Sequence, residues 1–151
     1  MSRSFTAWVH VSRPPREVYD AVADPAQLSR YFTTGGAKGW AETGATVTWE
    51  FGDFPGPFPV EIDEAVPGER IALRWPAHEE GSKPCMTSVV FAFAPVDEGR
   101  RTKVSVTESG WSDTPAGEKA AYGNCMGWSQ MLIALKAWVE HGINLREGAY
   151  K

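Results

Sequence analysis

Several features that would assign this chain to a well-known chemical class are missing from its sequence. The two cysteines, Cys85 and Cys125, form no CxxC pair and have no Cys/His spacing, so they are interpreted as reduced, buried thiols. The three histidines have no metal-ligand spacing with acidic residues. A Gly-x-Ser-x-Gly nucleophile elbow and a glycine loop ending in GKS or GKT are both absent. The sequence therefore predicts no metal and no bound cofactor.

Long apolar runs and a basic surface are missing as well. No stretch of 18 consecutive apolar residues occurs, and the N-terminus lacks the basic and apolar pattern of an export signal. The 15 Lys and Arg residues form no stripe, and the net charge is −4. This charge argues against nucleic acid or an anionic membrane as the main partner. We therefore expect a cytoplasmic protein with no membrane partner.

The sequence is instead rich in aromatic side chains. Seven Trp, four Tyr and seven Phe give 18 aromatic residues in a chain of 151. With 42% hydrophobic and 23% charged residues, the composition is typical of one globular domain, expected to span residues 1–151. So many large rings in so short a chain either pack against one another or leave a space between them.

The strongest periodic pattern predicts a long helix over residues 115–141. Thr114 can cap its start, Pro115 suits its first turn, and Gly142 can end it. Its predicted core face is one apolar stripe at helical spacing, formed by Ala121, Cys125, Trp128, Leu132, Leu135 and Val139. Further apolar residues on both sides make this stripe broader than one flat surface would cover. The helix is therefore expected to be held by a sheet and by other elements at its flanks.

Alternating apolar and polar residues predict six strands, with two short helices between the first strand and the second. The first strand covers residues 5–11, and Pro25 separates the two helices because proline disfavours helix in the residue before it. Residues 33–44 are predicted as a glycine-rich loop and residues 51–59 as a turn. The later strands centre on residues 45–51, 58–63, 70–75, 89–94 and 103–108. Short connections between them indicate an antiparallel meander, whose apolar face the long helix would cover.

Four stretches, in this order, carry a resemblance to a known family. They are SRPPREVYDAVADPAQLSRYF, VPGERIALRW, TKVSVTESGW and GWSQMLIALKAWVE. The chain resembles the START/Bet v 1-like (SRPBCC) superfamily and, within it, the branch named for the C-terminal domain of the activator of Hsp90 ATPase. The resemblance implies an α+β helix-grip fold, in which a six-stranded curved antiparallel sheet surrounds a long C-terminal helix. The sequence departs from the branch where Tyr31 replaces a common Trp and where Glu108 replaces a frequent His.

The resemblance implies three functions, which we rank in order. Superfamily members bind apolar small molecules between helix and sheet, which favours a non-enzymatic binding domain for a largely apolar ligand. Glu108 and Tyr122 would supply its polar contacts. Some relatives cyclise or dehydrate polyketides, so an enzyme acting on a polyketide-like substrate is the second hypothesis. It ranks lower because it needs a second polar group beside Glu108, and Tyr122 is the only obvious one. The third hypothesis is a partner of an Hsp90-type chaperone.

The predicted ligand site combines inward-facing rings of the strands with the N-terminal half of the long helix. Its residues are Phe32, Trp49, Phe51, Phe58, Trp75, Phe91, Glu108, Trp111, Tyr122, Met126 and Trp128. Pockets for small molecules are mostly apolar and aromatic, so taken together these residues favour a cavity. The alternative is a solid core filled by the same rings.

Glu108 is the most informative polar residue of that set. By alternation it follows Val104 and Val106 on the inward face of the last strand. A carboxylate there is costly unless it is paired or hydrogen-bonded. Three roles are open for Glu108. It orients a ligand hydroxyl, it acts as the general base of an enzyme, or it lies at the strand end and reaches water. The first case predicts that Glu108→Gln changes ligand affinity more than melting temperature.

Small residues in the long helix suggest a contact with another chain. Ala120, Gly123, Gly127 and Ala134 fall on the side away from the predicted core stripe. A glycine inside a helix costs about 1 kcal/mol relative to alanine. The two glycines are therefore either required on this face or tolerated there. A smooth outer helix face, together with an outward Trp8, favours a homodimer; tolerance at a solvated surface is the alternative.

Overall fold

The computed structural model describes residues 3–151, without the side chain of Pro55. Within that range it contains seven β-strands and three α-helices. They are β1 (Arg3–Val11), α1 (Pro15–Ala23), α2 (Pro25–Leu28), β2 (Gly36–Lys38), β3 (Thr46–Phe51), β4 (Phe54–Val66), β5 (Arg70–Ala77), β6 (Cys85–Val96), β7 (Arg101–Trp111) and α3 (Pro115–His141). A short 3₁₀ turn at Asp97–Gly99 connects β6 to β7.

The seven strands form one antiparallel sheet in the order β1-β7-β6-β5-β4-β3-β2. The first strand pairs with the last, and Ala7 lies opposite Val106 in that register. Register shifts interrupt the β3–β4 pairing near Trp49 and the β4–β5 pairing near Ile62. Such irregularities bend strands and increase their twist. The predicted α+β class, with a curved antiparallel sheet and a C-terminal helix, is confirmed.

The predicted number of six strands is wrong, because the structure has a seventh at the sheet edge. Residues 36–38 lie inside the segment predicted as a loop, yet they pair with residues 48–50 of β3. Backbone hydrogen bonds to a neighbouring strand define this element, and no apolar alternation in its own sequence indicates it. The predicted turn at residues 51–59 is also shorter than expected, since β4 already begins at Phe54.

The long helix has the predicted bounds, Pro115 to His141. The Thr114 hydroxyl accepts a hydrogen bond of 3.0 Å from the Gly117 N–H, and Gly142 ends the helix with a left-handed φ of 68°. The core stripe is confirmed in its central part, where the side chains of Trp128, Leu132 and Leu135 are all buried. α3 packs mainly against β1 and β7. Its N-terminal half therefore does not seal the β3–β5 part of the sheet.

The two short helices form as predicted. The Asp24 carboxylate accepts a hydrogen bond of 2.9 Å from the Ala26 N–H and thereby caps α2. Tyr31, which follows α2, is fully buried, and its hydroxyl donates a 2.9 Å hydrogen bond to the Ala21 carbonyl. α1 contacts β6, while α2 contacts β2. The pair thus packs over the sheet beside the C-terminal half of α3.

Two further findings concern the cysteines and the possibility of a membrane-spanning helix. Cys85 and Cys125 are free thiols, but both are half-buried and not fully buried as expected. Across residues 3–151, none of the helices is both long enough and apolar enough to cross a bilayer.

Candidate functional site

The aromatic residues of the inner sheet face form one connected ring cluster. The Trp49 ring centroid lies 6.1 Å from that of Trp75 and 5.7 Å from that of Phe32. The Trp75 centroid lies 5.1 Å from that of Trp128 on α3. Rings at such separations are in contact. The enclosed void beneath Trp49 and Leu73 has a volume of only about 10 Å³, so this part of the interior is a filled core.

An open cleft remains where the N-terminal half of α3 stands over β3, β4 and β5. Its inner part has a volume of about 340 Å³. It is lined by Phe32, Phe51, Phe54, Trp75, Gly123, Asn124, Met126, Gly127, Trp128, Arg146 and Tyr150, six of which are aromatic. A neighbouring part of about 500 Å³ shares Phe51, Phe54, Trp75 and Asn124 with it and reaches His78. Both volumes fall in the range of small-molecule sites.

Gly123 and Gly127 form the helix side of this cleft. A Cβ atom at either position would meet no atom within 4 Å, so the space in front of them is open. The prediction that they share an outward face with Ala120 and Ala134 is wrong, because Ala134 is only 5% exposed and Ala120 packs against the Trp111 cluster. The chain after α3 folds back along the helix, so the side away from the core stripe is not uniformly solvent-facing.

Glu108 lies behind the cleft wall and is fully buried. Its prediction as an inward residue is confirmed, and the alternative that it reaches water is wrong. Four donors meet its carboxylate: the indole N–H groups of Trp75 (2.8 Å) and Trp128 (2.9 Å), the Thr87 hydroxyl (2.5 Å) and the Asn124 amide (3.0 Å). An ionised carboxylate offers about four acceptor sites. None of the four donors is charged, and together they use the acceptor capacity of the group.

This cluster determines the chemical character of the cleft. Because the N–H groups of Trp75 and Trp128 donate to Glu108, they are not available to a ligand, and the two rings contribute apolar surface to the cleft. Asn124 donates its amide N–H to Glu108 as well, while within residues 3–151 its Oδ1 atom has no hydrogen-bond partner. The inner cleft is therefore an aromatic surface with the Asn124 amide as an acceptor and with the Arg146 guanidinium, paired with Asp53, at one side.

The structure brings six of the predicted site residues to the cleft. Phe32, Phe51, Trp75, Met126 and Trp128 line its inner part, and Phe58 lines the neighbouring part. These residues are the part of the predicted set that the fold gathers around one space.

The other five predicted residues lie elsewhere. Trp49 and Phe91 belong to the filled core, and Glu108 lies behind the wall. Trp111 packs in a separate cluster with Ala77 and Ala121. Tyr122 is 67% exposed and does not line the cleft, because one helix position beyond Ala121 rotates its side chain away from the sheet.

Several cleft residues were not predicted, and Arg146 is the most distinctive. Its side chain is 10% exposed, and its guanidinium donates to Asp53 through Nη2 (3.0 Å) and Nε (3.3 Å). The guanidinium carbon lies 4.7 Å from the Phe51 ring centroid and 4.6 Å from that of Tyr150, a cation–π arrangement. No periodic signal follows Gly142, so sequence patterns gave no reason to place this segment at the site. Asn124 could have been found, since it precedes Trp128 by one helical turn.

Titratable groups with shifted pKa values lie outside the cleft. The Ser112 hydroxyl and the Ser112 backbone N–H both donate to Glu79 and lower the pKa of that carboxyl. Burial raises the pKa of the Tyr31 hydroxyl well above its ordinary value. Within residues 3–151, no cluster of three or more His, Cys, Asp or Glu side chains is arranged to hold a metal ion.

Comparison with known proteins supports the fold and the family. The family model described as Activator of Hsp90 ATPase homolog 1-like protein matches residues 12–140. The structure of protein MLL2253 from Mesorhizobium loti is 20% identical, with a TM-score of 0.78 over 93% of this chain and 99% of that chain. The Aha1 dimer from Colwellia psychrerythraea is 20% identical, with a TM-score of 0.75 over 93% of this chain and 98% of that chain.

A third similar structure, DynU16 from the dynemicin biosynthetic locus, is 25% identical with a TM-score of 0.73. The similarity covers 92% of this chain but 48% of DynU16, so this chain spans about half of that protein. No curated protein matches this chain significantly. These likenesses show the architecture, and an architecture of this kind does not by itself define a function.

Proposed function

This chain belongs to the Activator of Hsp90 ATPase homolog 1-like family, and we propose that it binds a small, largely apolar molecule in the cleft between α3 and strands β3–β5. The observation that carries this proposal is the lining of the cleft. Six of its 11 inner lining residues are aromatic, and the N–H groups of Trp75 and Trp128 are held by Glu108 on the far side of the wall.

The burial of apolar area would supply the affinity. A ligand that loses about 300 Å² of apolar surface gains several kcal/mol at roughly 25 cal/mol per Å², before the costs of ordering. Ring-to-ring contacts add about 0.5–1.5 kcal/mol each beyond burial. A wall made of Phe51, Trp75 and Trp128 therefore favours an aromatic ligand over a purely aliphatic one.

The polar contacts of such a ligand differ from those expected from sequence. Glu108 has its acceptor sites occupied, and Tyr122 lies away from the cleft. The Oδ1 atom of Asn124 is available to a donor on the ligand. The ligand class that fits is thus an aromatic molecule with one hydroxyl or N–H group.

The geometry favours binding over the two alternatives. A general base needs a free lone pair within reach of the substrate, whereas four donors occupy Glu108 behind the wall. The second polar group of the enzyme hypothesis, Tyr122, is absent from the cleft lining. The chaperone hypothesis has the description of the family in its favour but no distinct observation in this structure.

The experiment has two arms. Native mass spectrometry of freshly purified protein should show a co-purified small molecule that mild activation removes. In the second arm, the neutral probe N-phenyl-1-naphthylamine should bind saturably with 1:1 stoichiometry, as followed by its fluorescence. If no small molecule co-purifies and the probe shows only non-saturable uptake, the binding function is wrong.

We also infer that the chain forms a homodimer. The Colwellia psychrerythraea relative is described as a dimer, and the exposed side chains of Tyr122, Met126 and Ile133 share one face of α3 at steps of four and seven residues. Sedimentation velocity across a range of concentrations should show a mass of two chains, and Ile133→Glu should shift it toward one. A single monomer mass at every concentration would contradict the dimer.

A further inference from the structure

The ten residues after α3 form a segment, residues 142–151, that we call the C-terminal strap. Gly142 turns the chain out of the helix with its left-handed backbone. The Asn144 side chain then accepts hydrogen bonds from the Arg146 N–H (2.9 Å) and the Glu147 N–H (3.2 Å), and the Ala149 N–H donates to the Arg146 carbonyl (3.0 Å). These local bonds give the strap a defined path although it is neither helix nor strand.

The strap connects the two sides of the cleft. On the sheet side, Arg146 pairs with Asp53 in the turn between β3 and β4. On the helix side, the Tyr150 hydroxyl donates to the Gln130 side chain of α3. Arg146 and Tyr150 both line the inner part of the cleft, so the strap forms its third wall.

The ion pair is the most buried contact of the strap. The side chains of Arg146 and Asp53 are 10% and 13% exposed, whereas the exposed ion pair of Arg74 with Asp63 has 45% for both partners. The Arg146 guanidinium is also packed against the Phe51 and Tyr150 rings. A nearly buried cation depends strongly on its partner, because losing the partner leaves an uncompensated charge out of water.

Outside the Arg146–Asp53 pair and the contacts of Tyr150 with Gln130 and Phe54, the strap is weakly held. The side chains of Ile143 and Leu145 are 49% and 47% exposed. Within residues 3–151, no backbone hydrogen bond joins residues 144–151 to a strand of the sheet. Segments with little apolar burial and few backbone bonds open at low free-energy cost. The position of the strap therefore rests mainly on the buried Arg146–Asp53 pair, with the exposed Tyr150–Gln130 hydrogen bond as a second attachment.

We propose that the C-terminal strap is a gate at one side of the ligand cleft, latched by the Arg146–Asp53 ion pair, and that opening of this latch widens the cleft and speeds ligand entry and exit. The proposal rests on the binding function proposed above and adds its kinetic control. It assigns the Arg146–Asp53 pair to the timing of binding, since Asp53 holds the strap to the sheet without lining the inner part of the cleft.

The first test measures the strap without any ligand. In Asp53→Asn the guanidinium loses its carboxylate, so amide hydrogen exchange in a peptide covering residues 142–151 should accelerate by about tenfold. Asp63→Asn is the matched control, because it breaks the exposed pair with Arg74 on β5 and should leave that peptide unchanged. Equal exchange of the strap in wild type and Asp53→Asn would overturn the latch.

The second test measures binding kinetics with N-phenyl-1-naphthylamine in a stopped-flow instrument. Association and dissociation rates should both rise by about tenfold in Asp53→Asn, and Kd should change by less than either rate. Asp63→Asn should behave as wild type. Accelerated exchange with no saturable binding in any variant would leave the latch standing and contradict the binding function. Saturable binding with the same rates in every variant would support the binding function and overturn the gate.

Discussion

Trp128 Nε1 donates a 2.9 Å hydrogen bond to Glu108 Oε1, and neither side chain is more than 2% exposed. Through this bond and the matching one from Trp75, a single carboxylate orients one ring of the helix and one ring of the sheet. Glu108, which the sequence suggests as a ligand-binding or catalytic group, thus acts by positioning these two rings. Its effect on the cleft is to keep polar indole groups out of it.

Glu108→Gln should lower stability more than it alters ligand affinity, the reverse of what the sequence alone suggests. The amide has one acceptor oxygen and an NH₂ group that would face donors from Trp75, Trp128 or Thr87. A buried donor left without an acceptor costs about 1–3 kcal/mol. Urea unfolding measures this change. Glu61→Gln, at a half-exposed ion pair on β4, is the control and should stay within about 0.5 kcal/mol of wild type. A neutral Glu108→Gln would contradict the positioning role.

Two substitutions of Gly127 should separate helix stability from binding. Gly127→Ala adds a Cβ into open space and removes a helix-interior glycine, so the free energy of unfolding should rise by about 0.5–1 kcal/mol. Gly127→Leu extends further into the cleft and should weaken binding of N-phenyl-1-naphthylamine by at least about tenfold. Unchanged probe affinity in the leucine variant would show that the ligand binds elsewhere.

Gly117→Ala should destabilise the start of α3. A Cβ there would lie 2.1 Å from the Ser112 carbonyl oxygen and 2.9 Å from its carbon, and backbone atoms cannot move aside as a flexible side chain would. We expect a loss of about 1–3 kcal/mol, as for other overpacked sites. Gly123→Ala meets no atom within 4 Å and serves as the control in thermal unfolding. Equal melting temperatures of the two variants would disprove this close approach.

Stability should fall in acid partly through Glu140. Burial opposes ionisation of this side chain, but hydrogen bonds from the Lys136 ammonium and the Ser12 N–H outweigh it, and the pKa of Glu140 is lowered from 4.5. A lowered folded-state pKa gives stability that is complete above the ordinary pKa and is lost as the pH falls through the folded value.

The corresponding measurement is urea unfolding from pH 7 down to pH 3. Glu140→Gln should lose about 1.5–3 kcal/mol near pH 7, the range for hydrogen bonds to charged groups, and the difference from wild type should shrink below pH 4.5. Glu42→Gln, at an exposed position after β2, should follow the wild-type curve throughout. A constant difference at every pH would mean that the charge of Glu140 does not contribute.

Features with local causes were predictable. Thr114, Pro115 and Gly142 specify the ends of α3 through capping groups a few residues apart, and both bounds agree with the structure. Period-two alternation placed Glu108 on the inner face of β7 for the same reason. In contrast, β2 carries no such pattern, since only its pairing with β3 makes it a strand.

The sequence by itself determined the fold class, the long helix and the aromatic character of the interior, because periodicity and capping act over a few residues. The tertiary structure alone decided which rings fill the core and which line a cleft. It also decided that Trp75, Thr87 and Asn124 meet Glu108, and that Arg146 reaches Asp53, 93 residues away in the sequence. Such meetings depend on strand register and on where the end of the chain folds back, and no local pattern encodes either one.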